Sequence, residues 1–296
     1  KGGVLLGLPT TRKFQISTEP RQSESGARNR LTGDRMLTDE QVEFYDEHGY
    51  VHIPEVFTQA ETEQLGSDMD RLVAEWATTS KGWSGPWRKV YMDEETEKVS
   101  QLTAIHDLHL YSDAWCRAVT NPRLTRSMAA LIGPDVELHH STMHIKPPQT
   151  GHPFPMHQDH PFYQHENGRY VDVLVHVDDT CEENGNICFL DGSHQGGALE
   201  HITMTEEGPS APHLPTSEYR LEDAVPVPAR KGDVVCFSIH TIHGSPVNRT
   251  KSPRRLVRVG YRDPENVQTA GQSLKRPGLM VQGYRKRAEG QELLPQ

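Results

Sequence analysis

The sequence predicts a mainly β fold, a double-stranded β-helix (a cupin-like jelly roll) flanked by N-terminal α-helices. Helical signals stop at Gly133-Pro134, and from Val136 onward the chain breaks into short strand-like runs separated by turn residues. The length of 296 residues suits one β domain of roughly 200–250 residues with added helix.

The helices come first. Leu37 precedes a capping box, Thr38 with Gln41, and Gly49 is the expected stop. Tyr50 to Ile53 reads as a short strand. A second box, Thr58 with Glu61, opens a helix towards Trp76. The polar stretch 79–100 reads as a loop able to form part of a lid. Trp115, Val119, Leu124, Met128 and Leu131 mark a helix over 112–132. Strands are expected at 137–146, 155–160, 170–178, 186–190, 224–229, 233–240 and 254–262, with Gly185 and Gly192 in turns. Residues 195–223, rich in Gly, Pro and Ser, read as a surface insertion.

Residues 1–35 are rich in Arg, Ser, Thr and Gly and read as a disordered leader, with a transit peptide as the alternative. The folded domain is expected over 36–296, its core at about 136–263. A net charge of −10 argues against a general nucleic-acid binder. No run of about 18 apolar residues is present, so no membrane helix is expected. The four cysteines form no C-x-x-C pair, which suits free thiols in a reducing, cytoplasmic setting.

His157-Gln158-Asp159 is the sharpest feature. On a strand, residues two apart share a face, so the imidazole and the carboxylate can meet one ion. A third ligand must come from elsewhere, with His243 and His240 as candidates at the end of the strand 233–240. Two histidines and one carboxylate suit non-haem Fe(II) with three positions open, two for a 2-oxo acid and one for O2. Arg254 stands eleven positions past His243. Period two groups it with Leu256 and Arg258, against Arg255, Val257, Val259 and Tyr261. The second set is the apolar one and would pack on the helices, which turns Arg254 inward to hold the far carboxylate of 2-oxoglutarate in a bidentate pair. His140, Thr142 and His144 share one inward face, so Thr142 and His144 are expected beside the co-substrate. His140, Tyr170, Asp172, Leu174 and His176 would line the pocket of a small-molecule substrate.

In order and spacing these pieces resemble the phytanoyl-CoA dioxygenase family, which also includes ectoine hydroxylase. The similarity runs from about Leu37 to Asp263. It is carried by His144-Ile145-Lys146-Pro147-Pro148, Met156-His157-Gln158-Asp159, Glu183-Asn184-Gly185-Asn186, Asp191-Gly192-Ser193-His194, Lys231-Gly232-Asp233, and His243-Gly244-Ser245 with Arg254. The resemblance implies iron held by His157, Asp159 and His243, and 2-oxoglutarate held by Ser245 and Arg254. It implies a dioxygenase that hydroxylates a small organic substrate and releases succinate and CO2. Two departures stand out. Leu174, on the strand expected to line the pocket, replaces an aromatic residue of some members, so a fatty acyl-CoA substrate does not carry over, and Asp191 replaces the usual proline. The rival readings are a cupin-like metalloenzyme without 2-oxoglutarate and a non-catalytic metal-binding jelly roll; neither needs a carboxylate-anchoring arginine.

Overall fold

The computed structural model describes residues 37–286, so the leader expected over 1–35 lies outside the described residues. Both capping boxes form, at Thr38/Gln41 before α1 (Asp39–His48) and at Thr58/Glu61 before α2 (Gln59–Glu75). Between them Gly49 turns the chain at φ 82° into β1 (Tyr50–Ile53). The stretch expected as a loop over 79–100 is more ordered than its polarity suggested. It runs from β2 (Thr78–Ser80) through α3 (Arg88–Tyr91) and α4 (Glu94–Val99), and β3 (Leu102–His106) follows.

The helix expected over 112–132 is two helices, α5 (Asp113–Val119) and α6 (Pro122–Ile132). Asn121 caps the second through the Arg123 N–H. Pro122 has no N–H and would clash with the turn before it, so it starts a helix and cannot continue one.

The barrel follows as β4 (Val136–Lys146), β5 (Phe154–His157), β6 (Tyr163–His165), β7 (Tyr170–His176) and β8 (Ile187–Phe189). The insertion 195–223 carries the hairpin β9 (Ile202–Thr205) and β10 (Gly208–His213). Then come β11 (Val225–Val227), β12 (Val234–Ser238), β13 (His243–Ser245), β14 (Arg254–Arg262), β15 (Gln268–Gly271) and β16 (Leu279–Gln282). Two antiparallel sheets make the jelly roll. The larger runs β1-β12-β7-β14-β4-β3-β2 with β16 also on β4, and the smaller runs β11-β8-β13-β5.

Each face of the large sheet has its own core. Val171, Val173, Val175, Val257, Val259 and Tyr261 pack outward with Leu65, Met69, Leu72, Trp115, Leu124 and Met128 of the helices. Leu174, Val235, Phe237 and Leu256 point inward and meet Phe189 and Val227 of the small sheet. This fixes the register of β14: a slip of one residue would exchange the two sets. Among the described residues no helix is long and apolar enough to cross a membrane.

Arg255 faces outward. Its guanidinium pairs with Asp178 at 2.7 Å and with Asp70 of α2 at 2.8 Å, tying β14 to the helical layer. Asp70 is largely exposed, so Asp178 carries most of this tie. Arg255→Ala is expected to lower stability by roughly 1–3 kcal/mol and to leave the 2-oxoglutarate dependence of turnover unchanged. A thermal melt and a co-substrate titration on the same sample check both halves.

Candidate metal and co-substrate site

β5 and β13 lie side by side with His157 directly opposite His243, and the two rings stand 4.2 Å apart between centroids. Each ring is locked the same way. His157 Nδ1 donates to the Pro155 carbonyl at 2.7 Å, and His243 Nδ1 donates to the Thr241 carbonyl at 2.9 Å. A carbonyl only accepts, so Nδ1 carries the proton in both and each Nε2 is left as a lone pair. Burial, with His157 alongside, pushes His243 down to about 3, which keeps it neutral and able to ligate.

Asp159 completes the set, by a route other than strand alternation. The strand expected over 155–160 ends at His157, and Asp159 sits in helical backbone (φ −77°, ψ −21°) before the 3-10 turn His160–Phe162. Its Oδ1 still comes within 3.6 Å of His157 Nε2 and 3.8 Å of His243 Nε2. Arg258 holds it there, donating from Nη1 to Oδ1 at 2.6 Å. Burial alone would raise the Asp159 carboxyl, but the Arg258 guanidinium and the two histidines outweigh it and hold the group well below the usual carboxylate range. The other oxygen, Oδ2, is buried with no hydrogen-bond partner. One ligand atom from each of the three residues lies within 4.8 Å of the others. Two imidazole lone pairs and an unpartnered carboxylate oxygen, all buried and within reach of one another, fit a divalent cation. His240 takes no part: its ring stands against His160, 5.1 Å away between centroids.

A pocket leads from these three side chains to Arg254. Its walls include Phe154, Leu174, Ile187, Phe237 and Leu256, with His144 on one side and Ser245 near the far end. Trp83, from the stretch 79–100, covers the metal end with its ring 4.9 Å from that of His157. Arg254 is 3% exposed and makes no ion pair among the described residues, and its Nε is without a partner. Burial pulls it down to about 10, a measure of how poorly the cation is compensated. Lys146 is its cross-strand neighbour on β4 and is fully buried too. The ammonium donates to Ser245 Oγ at 2.7 Å and to the Pro246 carbonyl. Burial and Arg254 together push Lys146 well below its ordinary range. Two buried basic side chains without a carboxylate call for an anion from outside.

The other expected site residues lie elsewhere. Thr142 is not in this pocket; its hydroxyl meets His106 Nδ1 at 3.2 Å. Asp172 is buried beside the site and takes a hydrogen bond from Tyr163 at 2.8 Å. Burial and Asp159 raise its carboxyl well above the usual range. Tyr170 bonds to His139 and His140. His176 is buried with neither ring nitrogen partnered. Leu174 alone of the five expected substrate-pocket residues joins His144 in the lining. Sequence reasoning missed Lys146, Trp83 and the role of Arg258. Lys146 continues the His140, Thr142, His144 alternation by one step, and that was the available signal.

The phytanoyl-CoA dioxygenase family model matches residues 45–256. The chain belongs to this family. It is accordingly a 2-oxoglutarate-dependent non-haem iron dioxygenase, and the two rival readings fall away. A probable alpha-ketoglutarate-dependent hypophosphite dioxygenase of Stutzerimonas stutzeri is 28% identical over 233 residues, covering 76% of this chain and 78% of that protein. An ectoine dioxygenase of Bordetella parapertussis is 26% identical over 252 residues, covering 78% and 77%. Among solved structures, EctD from S. alaskensis with 2-oxoglutarate and 5-hydroxyectoine has a TM-score of 0.62 at 21% identity, covering 84% of this chain and 86% of that one. That likeness extends to the jelly roll.

Proposed function

We propose that His157, Asp159 and His243 hold the Fe(II), and that Arg254, with Ser245 oriented by Lys146, binds the far carboxylate of 2-oxoglutarate. The observation that carries this reading is Arg254 itself, a buried guanidinium without a carboxylate at the far end of a pocket that starts at three metal-ligand atoms. The apolar walls between suit the methylene carbons of the co-substrate. When bound, iron with 2-oxoglutarate and O2 supplies the oxidation that releases succinate and CO2 and hydroxylates the substrate. The chain's own part is positioning and exclusion. The backbone carbonyls of Pro155 and Thr241 fix the histidine tautomers, Arg258 fixes Asp159, and Trp83 with Phe154 keeps water from the metal end. The relatives are named for molecules as different as hypophosphite and ectoine, which supports a small-molecule substrate here. The four cysteines, none in a disulfide, suit a reducing compartment.

The test is binding without turnover. With Zn(II) in place of iron, 2-oxoglutarate at a hundred times its Kd should stabilise the fold by about 2.7 kcal/mol. 2-Oxoglutarate 5-methyl ester, which keeps the chelating 2-oxo acid and lacks only the free far carboxylate, should not at the same concentration. Equal stabilisation by both would sink the assignment of Arg254.

A further inference from the structure

Among the residues that line the pocket, Trp83 alone precedes β4 in the chain. Its indole meets three rings. Phe154 stands edge-on at 4.8 Å between centroids, His157 edge-on at 4.9 Å, and Phe162 tilted at 4.9 Å. One of the three belongs to a metal ligand, so the clearance over the metal end follows wherever this indole goes. A tryptophan on a polar connecting stretch could serve as a movable cover. The hydrogen bonds of its own backbone oppose that.

Both backbone groups of Trp83 are held by buried side chains. The N–H donates to His152 Nε2 at 3.0 Å. An N–H only donates, so Nε2 is a lone pair and the ring proton sits on Nδ1, where Ser100 Oγ accepts it at 3.3 Å. Burial, with Arg88 alongside, pushes His152 down to about 2, which keeps the ring neutral. The Trp83 carbonyl accepts from Arg88 Nη1 at 3.0 Å, and the other proton of that nitrogen goes to the Lys81 carbonyl at 3.0 Å. Arg88 is anchored in turn by Glu97, through its carbonyl at 3.3 Å and its carboxylate at 3.5 Å. His152 is 0% exposed and Arg88 8%, so water does not compete for these bonds.

Gly82 completes the clamp. It turns the chain at φ 79°, and a Cβ there would fall 2.6 Å from the His152 ring. The loop therefore closes on the imidazole with no room for a side chain. Beyond it, the Ala211 N–H of the insertion donates to the Ser84 carbonyl at 2.8 Å, a third hold on the same short segment. Neither Arg88 nor His152 lines the pocket. What the two share is the segment 81–83.

We infer that Arg88 and His152 are positioning residues for the oxidation, fixing Trp83 as a rigid wall of the metal end that the substrate must fit, and not as a lid that it moves. The inference rests on the metal and co-substrate reading above, because Trp83 bounds a substrate site only if oxidation occurs beside His157.

Labelling with 5-fluorotryptophan tests it, since the chain has four tryptophans and fluorine NMR shows each indole separately. Trp83→Phe identifies the Trp83 resonance by removing it. With Zn(II) bound, that resonance should be single and sharp, and exchanging Zn(II) for paramagnetic Co(II) should displace it more than any other indole. Arg88→Met and His152→Leu should each halve that displacement or split the resonance. Arg88→Lys and His152→Gln keep a donor and an acceptor and should recover part of it; they carry the comparison if the first pair does not fold. Water proton relaxation by Mn(II), measured with saturating 2-oxoglutarate, should rise at least twofold in Trp83→Ala and Arg88→Met, while the 2-oxoglutarate Kd changes less than twofold. A lower melting temperature with the full Co(II) displacement would confine Arg88 and His152 to a structural role and overturn the proposal. Several Trp83 resonances in the wild type, or unchanged relaxation in Trp83→Ala, would overturn it too. The underlying reading fails separately. If Co(II) binds the wild type and not His157→Ala, and the Trp83 resonance stays in place, only the wall is lost. If His157→Ala binds Co(II) as well as the wild type does, or 2-oxoglutarate does not bind at all, the metal and co-substrate reading fails first.

Discussion

His157→Ala and Asp159→Ala are each expected to abolish Fe(II)-dependent turnover in a protein that still folds. Disturbing a group that merely supports a metal ligand brings a loss of roughly 10–100-fold, and removing a ligand should exceed that. Arg258→Met belongs to the milder class, because it takes away the 2.6 Å hydrogen bond to Asp159 and leaves all three ligands. The three variants should therefore rank in metal affinity, with Arg258→Met between the wild type and the two alanine variants. Iron binding followed under anoxia, with circular dichroism to confirm folding, reads this directly. Full activity in either alanine variant would remove the metal assignment.

Arg254→Ala should act on the co-substrate and spare the metal. A charge-assisted bidentate contact to a buried partner is worth roughly 2–5 kcal/mol, which at about 1.4 kcal/mol per tenfold corresponds to a rise of about thirtyfold or more in the 2-oxoglutarate requirement. Arg254→Lys should recover only part of it, since an ammonium keeps the charge and loses the planar fork. An unchanged co-substrate curve for Arg254→Ala, measured at saturating iron, would leave the buried guanidinium without a purpose and the reading without its main support.

The parts legible in the sequence were those governed by a local period or a local cap. Thr38, Thr58 and Gly49 act within one helical turn, so the helix starts and the first stop could be read directly. The alternation of β14 separated Arg254 from Arg255 because Val257, Val259 and Tyr261 had only one side to which they could go. Asp159 is the instructive case. It was placed beside His157 through a strand that in fact ends before it, and the position came right because a turn and Arg258 deliver the carboxylate to the same spot. Other features had no local signal. Trp83 reaches the metal end from a stretch more than seventy residues before His157 in the chain. β15 and β16 exist because partners 100 residues away or more supply their hydrogen bonds. Thr142 faces the interior as its period requires, yet periodicity gives a face and not a depth, and at its depth it meets His106.

The position of Asp159 has a further consequence. It pairs with no neighbouring strand, so its side chain can be shortened without disturbing the ladder that sets His157 against His243. Arg258 would remain in such a variant, buried and cationic, with its former acceptor gone. The hole left by Asp159→Gly is thus lined by a guanidinium on one side and open to the metal on the other. A small exogenous carboxylate of the right width should enter it, and formate is the natural choice for chemical rescue. Chloride from an ordinary buffer would compete for the same hole, so rescue is best measured in a halide-free medium, where the degree of recovery reports how much of the aspartate's role is charge and how much is tether.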